Sequence, residues 1–209
     1  MIEKLACKLG RNDEAPNIEL AEYLCGNKDA AGIEEIVGGF IGADKAVASD
    51  CIKVLYEVGE RDPGLVAGYA DVFIAGLSSK SNRLVWGSMT ALAAIAGHAP
   101  ELLFKNLPAI TNAYKNGSVI TVDNSISVFA KLCKAGDRYA EAVLPLILNH
   151  LQNCRPKEVP QHAERASVCF NSENAGLFIE VLEKRIPVMK QSEQARINKL
   201  LKKLFALQA

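Results

Sequence analysis

Two stretches of the chain share one apolar pattern: residues 84–96 are LVWGSMTALAAIA, and residues 121–133 are TVDNSISVFAKLC. The second begins 37 residues after the first, and four apolar positions coincide at that offset. These pairs are Val85 and Val122, Met89 and Ile126, Leu92 and Phe129, and Ile95 and Leu132. Apolar residues at intervals of three or four form one face of an α-helix, so the pattern predicts two equivalent helices with one buried face each. The same offset backwards leads to a third such helix, which carries Ile52, Leu55 and Val58.

A second series of helices alternates with the first at the same period. Helix starts are predicted at Asp62-Pro63, Ala99-Pro100 and Gly136-Asp137, because Pro and Asp both suit the first helical turn. A Leu-Pro pair recurs inside these helices at residues 107–108 and 144–145, and Ile186-Pro187 follows further on. An interior proline removes a backbone hydrogen bond, so the sequence predicts kinks at Pro108, Pro145 and Pro187.

Paired helices of about 37 residues, with Leu-Pro inside the first helix, resemble the HEAT repeat of the armadillo-like superfamily. The resemblance implies an all-α fold, a right-handed α-solenoid of about five helix pairs in a single domain. We place the pairs at residues 29–59, 63–97, 100–135, 137–171 and 173–207, after an N-terminal cap of residues 1–28. The Asp and Arg ladder of many HEAT repeats is weak here, with Asn82-Arg83 and Glu164-Arg165 as its remnants.

Composition limits the classes of function. The chain is 49% hydrophobic and has no net charge, which argues against disorder and against a wholly basic, nucleic-acid-binding surface. No segment is long and apolar enough for a membrane span, and the six widely spaced cysteines suit a reduced, cytoplasmic protein. Charge is uneven along the chain: residues 1–60 carry a net −6, and residues 181–209 carry a net +5.

Sequence motifs for catalysis or cofactor binding are absent, so no catalytic residue, cofactor or metal site is predicted. His150 and Cys154 lie four residues apart on one predicted helix, and His162 and Cys169 follow on its partner. These are zinc-ligand residue types, but their spacing fits no standard zinc module, and we favour a structural role. The sequence leaves open whether His150, Cys154 and His162 approach one another.

The predicted second helices carry a polar ridge beside their buried stripe. It consists of Arg83, Trp86, Thr90, Asn124, Ser127 and Lys131. The resemblance implies that such helices line the concave surface of the solenoid, so these residues are the predicted partner-binding site. The sequence leaves open whether Trp86 is exposed in that groove or buried between repeats.

Two functions follow from the resemblance. The first is a non-enzymatic scaffold or interaction module that binds a protein partner, in an oligomeric state that the sequence leaves undefined. The alternative is nucleic-acid binding, as in the DNA alkylation-repair glycosylases that also use HEAT-like helices. In this sequence only Trp86 and Asp123 resemble the aromatic and acidic groups that surround the damaged base in those glycosylases, and a basic groove is missing.

Overall fold

The computed structural model describes residues 1–208, which form twelve α-helices and six short 3-10 turns, without a β-strand in that range. The α-helices are α1 (Ala15–Asn27), α2 (Ala30–Ile41), α3 (Lys45–Arg61), α4 (Ala70–Gly76), α5 (Asn82–Ile95), α6 (Pro100–Lys105), α7 (Leu107–Asn116), α8 (Val119–Ala135), α9 (Asp137–Asn153), α10 (Val159–Ala166), α11 (Ala175–Arg185) and α12 (Gln191–Ala206). The predicted all-α fold is confirmed. No helix within residues 1–208 combines the length and the apolar content needed to cross a bilayer.

The 37-residue register is visible in burial. Nine side chains at three equivalent positions of α3, α5 and α8 have no exposed surface. They are Ile52, Met89 and Ile126, then Leu55, Leu92 and Phe129, and finally Val58, Ile95 and Leu132. In the other series, Phe73, Ile110 and Ile147 are buried to the same extent. The apolar stripes inferred from the sequence therefore point into the cores.

Side-chain caps begin helices α2 and α3, and a glycine lets the two helices pack closely. Asp29 accepts a hydrogen bond from the amide of Gly32 at 2.9 Å, and Asp44 accepts bonds from the amides of Ala46 and Val47, which starts α2 and α3. A Cβ at Gly39 would lie 2.6 Å from Cys51 Sγ, so the glycine permits close packing of α2 on α3.

The three prolines at which kinks were predicted behave differently. At Pro108 the helix is interrupted: α6 ends at Lys105, and Pro108 lies in the first turn of α7. At the interruption Asn106 leaves the helical conformation, with φ −102° and ψ 17°, and its amide side chain donates a 2.9 Å bond to the Leu102 carbonyl. Pro145 lies inside the continuous helix α9, where the residue equivalent to Asn106 is the buried Val143. At Pro187 the α-helix passes into a 3-10 turn.

The chain forms two compact units, one of residues 1–125 and one that begins at Ile126. In the first unit, α3 is central and packs against α1, α2 and α5, and α4 packs on α5. In the second unit, α11 packs on α9 and α12, and α10 packs on α9 and α12. The boundary lies within α8, and the expected division into one domain of five pairs remains a prediction.

Candidate functional site

The ridge residues predicted from the sequence lie on α5 and α8. Arg83, Trp86 and Thr90 are on α5, and Asn124, Ser127 and Lys131 are on α8. Each is half-buried, so Trp86 is neither fully exposed nor enclosed in the core. The first four residues belong to the first unit, and Ser127 and Lys131 belong to the second.

Trp86 is held between an aromatic ring and a cation. Its ring centroid is 5.9 Å from that of Tyr56, and the Arg83 guanidinium lies 4.3 Å from the Trp86 centroid. The distance is typical of a cation–π interaction. Arg83 is held in turn by Glu14, with 2.6 Å between Arg83 Nη2 and Glu14 Oε1. The indole orientation is therefore set by its surroundings.

A buried lysine joins this arrangement. Lys53 is 6% exposed, and its Nζ lies 2.6 Å from Glu57 Oε1, 3.1 Å from Glu14 Oε2 and 4.8 Å from the Tyr56 centroid. Burial alone would lower the pKa of Lys53, but hydrogen bonds with Glu57, Tyr56 and Glu14 outweigh burial and raise it. We call Glu14, Lys53, Tyr56, Arg83 and Trp86 the Glu14 cluster.

Two neighbouring cations lower the pKa of the Glu14 carboxyl group. Burial would raise the pKa of Glu14, but the hydrogen bonds and charges of Arg83 and Lys53 outweigh burial and lower it. A cavity of about 310 Å³ opens beside this carboxylate and is also lined by Arg11, Asp13, Asp50 and Arg83. The cluster therefore adjoins a recess lined by the three carboxylates of Asp13, Glu14 and Asp50 and the two guanidinium groups of Arg11 and Arg83.

Hydrogen bonds link neighbouring second helices elsewhere. In the first unit, Asn124 Nδ2 on α8 donates to Thr90 Oγ1 on α5 at 2.8 Å. In the second unit, Arg165 donates to Ser127 Oγ at 2.8 Å, and Arg196 forms two bonds to Glu164 at 2.9 and 2.7 Å. The predicted ladder remnants Arg83, Glu164 and Arg165 thus each bond to another helix or to the segment before one.

The second unit also brings three metal-ligand side chains together. His150 Nε2 lies 2.7 Å from His162 Nδ1, and the ligand atoms of His150, Cys154 and His162 all lie within 4.8 Å of one another. The question that the sequence left open is answered: these residues approach one another. Cys169 lies elsewhere in the second unit, and its pKa is raised by a hydrogen bond with Cys133 and by burial.

Comparison with known structures identifies the fold. An engineered protein solved by the Northeast Structural Genomics Consortium is 17% identical to this chain, with a TM-score of 0.67 over 98% of this chain and 96% of the other. A designed armadillo repeat protein is 13% identical, with a TM-score of 0.64 over 98% of this chain and all of the other. The protein has an armadillo/HEAT-like helical-repeat fold. No protein-family model and no curated protein matches the sequence.

Sequence reasoning missed part of the Glu14 cluster in this helical-repeat protein. Lys53 stands 37 residues before Thr90, and Thr90 stands 37 before Ser127, so the repeat register places all three at one position of successive helices. Continuing the ridge back by one repeat would have found Lys53. No local signal points to Glu14, because it reaches Arg83 across 69 residues of sequence.

Proposed function

We propose that the protein is a non-enzymatic interaction module, or scaffold, that binds a protein partner on the concave face lined by its second helices. The observation that carries this proposal is the fixed position of Trp86 between Tyr56 and Arg83. Aromatic and arginine side chains dominate the energetics of many protein interfaces. An anchor already held in place loses little conformational entropy when a partner binds.

The charges around the anchor suggest the chemistry of the partner. Asp13, Glu14 and Asp50 line the recess together with Arg11 and Arg83, which leaves one acidic charge in excess there, and residues 1–60 carry a net −6. A peptide segment with an apolar side chain over Trp86 and a basic side chain toward this recess would complement both features. Thr90 and Asn124, the other predicted ridge residues of the first unit, would supply the polar margin of the interface.

A peptide-display selection tests the proposal. A random-peptide library is panned on the intact protein, and enriched peptides are titrated calorimetrically against the wild type and Trp86→Ala. We expect the substitution to weaken binding about 30-fold, which corresponds to about 2 kcal/mol. Tyr23→Ala is the matched control, because Lys4 lies 4.5 Å over the exposed Tyr23 ring in a similar cation–π pair away from the ridge. This control should bind within twofold of the wild type.

Equal affinity of the wild type and Trp86→Ala for every enriched peptide would contradict the proposed surface, provided that circular dichroism shows both to be folded. The nucleic-acid alternative has its own measurement, a titration with abasic duplex DNA at low salt. Binding that weakens with added salt and is lost in Arg83→Ala would favour that alternative.

We also propose that the protein acts in the cytoplasm. All six cysteines carry free thiols, three of them buried and three half-buried. Free thiols persist where the cell keeps cysteines reduced. Measuring the thiol state of the protein trapped in intact cells with an alkylating reagent tests this location.

A further inference from the structure

The cluster of His150, Cys154 and His162 lies at the hairpin between α9 and α10, in the second unit. His150 is in the last turn of α9, Cys154 follows the end of that helix, and His162 is on α10. Both imidazoles are enclosed, with His150 8% and His162 1% exposed, and Cys154 is half-buried. The three side chains therefore meet where solvent reaches only one side.

The two imidazoles face each other through nitrogen atoms. A separation of 2.7 Å between His150 Nε2 and His162 Nδ1 is that of a hydrogen bond, so one proton is shared between two lone pairs. The ring centroids are 4.6 Å apart at an interplanar angle of 62°. Two nitrogen lone pairs that converge on one proton also converge on the position that a metal ion takes when it replaces that proton.

We propose that His150 Nε2, His162 Nδ1 and Cys154 Sγ bind one divalent metal ion of borderline softness, with zinc as the representative, and that water takes the fourth position. Imidazole and thiolate are the ligands that zinc prefers, and three protein ligands plus water is a recognised coordination for it.

The geometry requires only small side-chain movements. Two zinc–nitrogen bonds of about 2.0–2.1 Å at a tetrahedral angle separate their nitrogens by about 3.3 Å, so the histidine pair must open by about 0.6 Å. A zinc–sulfur bond of about 2.3 Å places sulfur about 3.6 Å from each nitrogen, inside the 4.8 Å that encloses the present cluster. Cys154 Sγ makes a long, 4.0 Å contact with the Leu151 carbonyl, so a rotation about its Cα–Cβ bond would give up only a weak interaction.

Binding of the metal releases one proton to solvent, from the Cys154 thiol. The proton between the imidazoles moves to the outer nitrogen of the ring that carries it, and the Cys154 thiol loses its proton to solvent. Burial raises the pKa of the Cys154 thiol to about 11, so at neutral pH the metal must displace this proton, as coordinated zinc does. The Arg185 guanidinium bonds to the carbonyls of Gln152 and Cys154 at 2.7 and 2.5 Å and so holds the backbone that carries the thiol.

The bound ion would join the two helices of this hairpin directly. It would connect the end of α9, the following segment and α10, and a ligand that binds only the folded state stabilises that state. The bound ion is therefore expected to stabilise this hairpin against unfolding.

The test uses the untagged protein, freed of metal with a chelator and then titrated with Co²⁺ or Zn²⁺. We expect one Co²⁺ per chain, with a thiolate-to-cobalt charge-transfer band in the near ultraviolet and the visible bands of tetrahedral cobalt. Zn²⁺ should displace Co²⁺ and raise the melting temperature. In Cys154→Ser the charge-transfer band should vanish, and in His162→Gln the Zn²⁺ affinity should fall at least 100-fold.

Matched controls come from the same chain. His98 is exposed and Cys25 is half-buried in the first unit, so His98→Gln and Cys25→Ser should keep the wild-type spectrum and affinity. A charge-transfer band that survives in Cys154→Ser, or an affinity for Zn²⁺ equal in all four variants, would overturn the proposal. Because His162 is deeply buried, His162→Gln can fail to fold; the half-buried Cys154 then decides the question through its spectrum alone.

Discussion

Leu92 on α5 and Phe129 on α8 occupy equivalent positions in the second helices of neighbouring repeats, and neither side chain has exposed surface. Truncation of either to Ala removes buried apolar atoms and leaves a cavity. We expect Leu92→Ala and Phe129→Ala each to lower the free energy of unfolding by about 2–5 kcal/mol in urea titrations.

Exposed residues of the same types provide the controls for that measurement. Leu177 on α11 and Phe205 on α12 are 46% and 48% exposed. Leu177→Ala and Phe205→Ala should each change stability by less than about 1 kcal/mol. Losses below that level at Leu92 and Phe129 as well would mean that the 37-residue register does not mark the core.

The charges of the Glu14 cluster predict a pH dependence. The folded-state pKa of Glu14 lies below its ordinary value of 4.5, so its contribution to stability is present above that value and is lost as the pH falls through the folded pKa. At neutral pH, Glu14→Gln should therefore unfold at a lower urea concentration than the wild type. The difference should shrink below pH 4.5 and then disappear.

Glu19→Gln is the control for this pH series, since Glu19 lies on the solvent-facing side of the adjoining helix α1. It should follow the wild type at every pH. A difference between Glu14→Gln and the wild type that stays constant down to the most acidic pH would show that the carboxylate charge of Glu14 does not stabilise the fold.

At the scale of helices, the sequence predicted the features that depend on local pattern better than those that depend on tertiary contacts. The buried stripes follow from apolar spacing, which is a property of each helix alone. Spacing singled out Arg83 and Trp86, but the contacts of Glu14 and the approach of His150 to His162 depend on how separate helices pack. Equal Leu-Pro pairs likewise did not predict that the helix is interrupted at Asn106 but continuous through Pro145.

We expect substitution by Ala to change stability in different ways at the prolines of α7 and α9. Pro145 lies inside α9, where it removes a backbone hydrogen bond, so Pro145→Ala should raise the free energy of unfolding by about 1–3 kcal/mol. Pro108 is in the first turn of α7, where its missing N–H costs little, so Pro108→Ala should be neutral or slightly destabilising. Thermal melts of the two variants make the comparison, and equal shifts would contradict it.

Two adjacent glycines of α2 offer a test of helix packing. A Cβ added at Gly38 would meet no neighbouring group within 4 Å, whereas a Cβ at Gly39 would lie 2.6 Å from both Cys51 Sγ and Ile2 Cδ1. Gly38→Ala should stabilise the protein by about 0.5–1 kcal/mol, through helix propensity. Gly39→Ala should destabilise it by about 1–3 kcal/mol, through overpacking. The same sign for both in denaturant titrations would show that α2 does not depend on this close approach.

At the scale of the molecule, the two compact units follow from the logic of repeats. Each helix pair packs mainly on its neighbours, so a chain of such pairs has no single core to which every helix contributes. The first unit is organised around α3, and the second contains α9 to α12. The sequence predicts one domain because the same apolar pattern runs through both units, and that division stays a prediction.

Trp86 is the one tryptophan of the chain, and it belongs to the first unit. Its fluorescence is therefore an optical reporter of residues 1–125, whereas far-ultraviolet ellipticity reports helices throughout the chain. In Phe129→Ala, which alters the second unit, the ellipticity midpoint in urea should fall further than the emission midpoint, because interactions in repeat proteins reach only to the nearest repeats and a local change destabilises them most. Coincident midpoints would show that both units unfold as one. An indole placed here makes the first unit separately observable without any label.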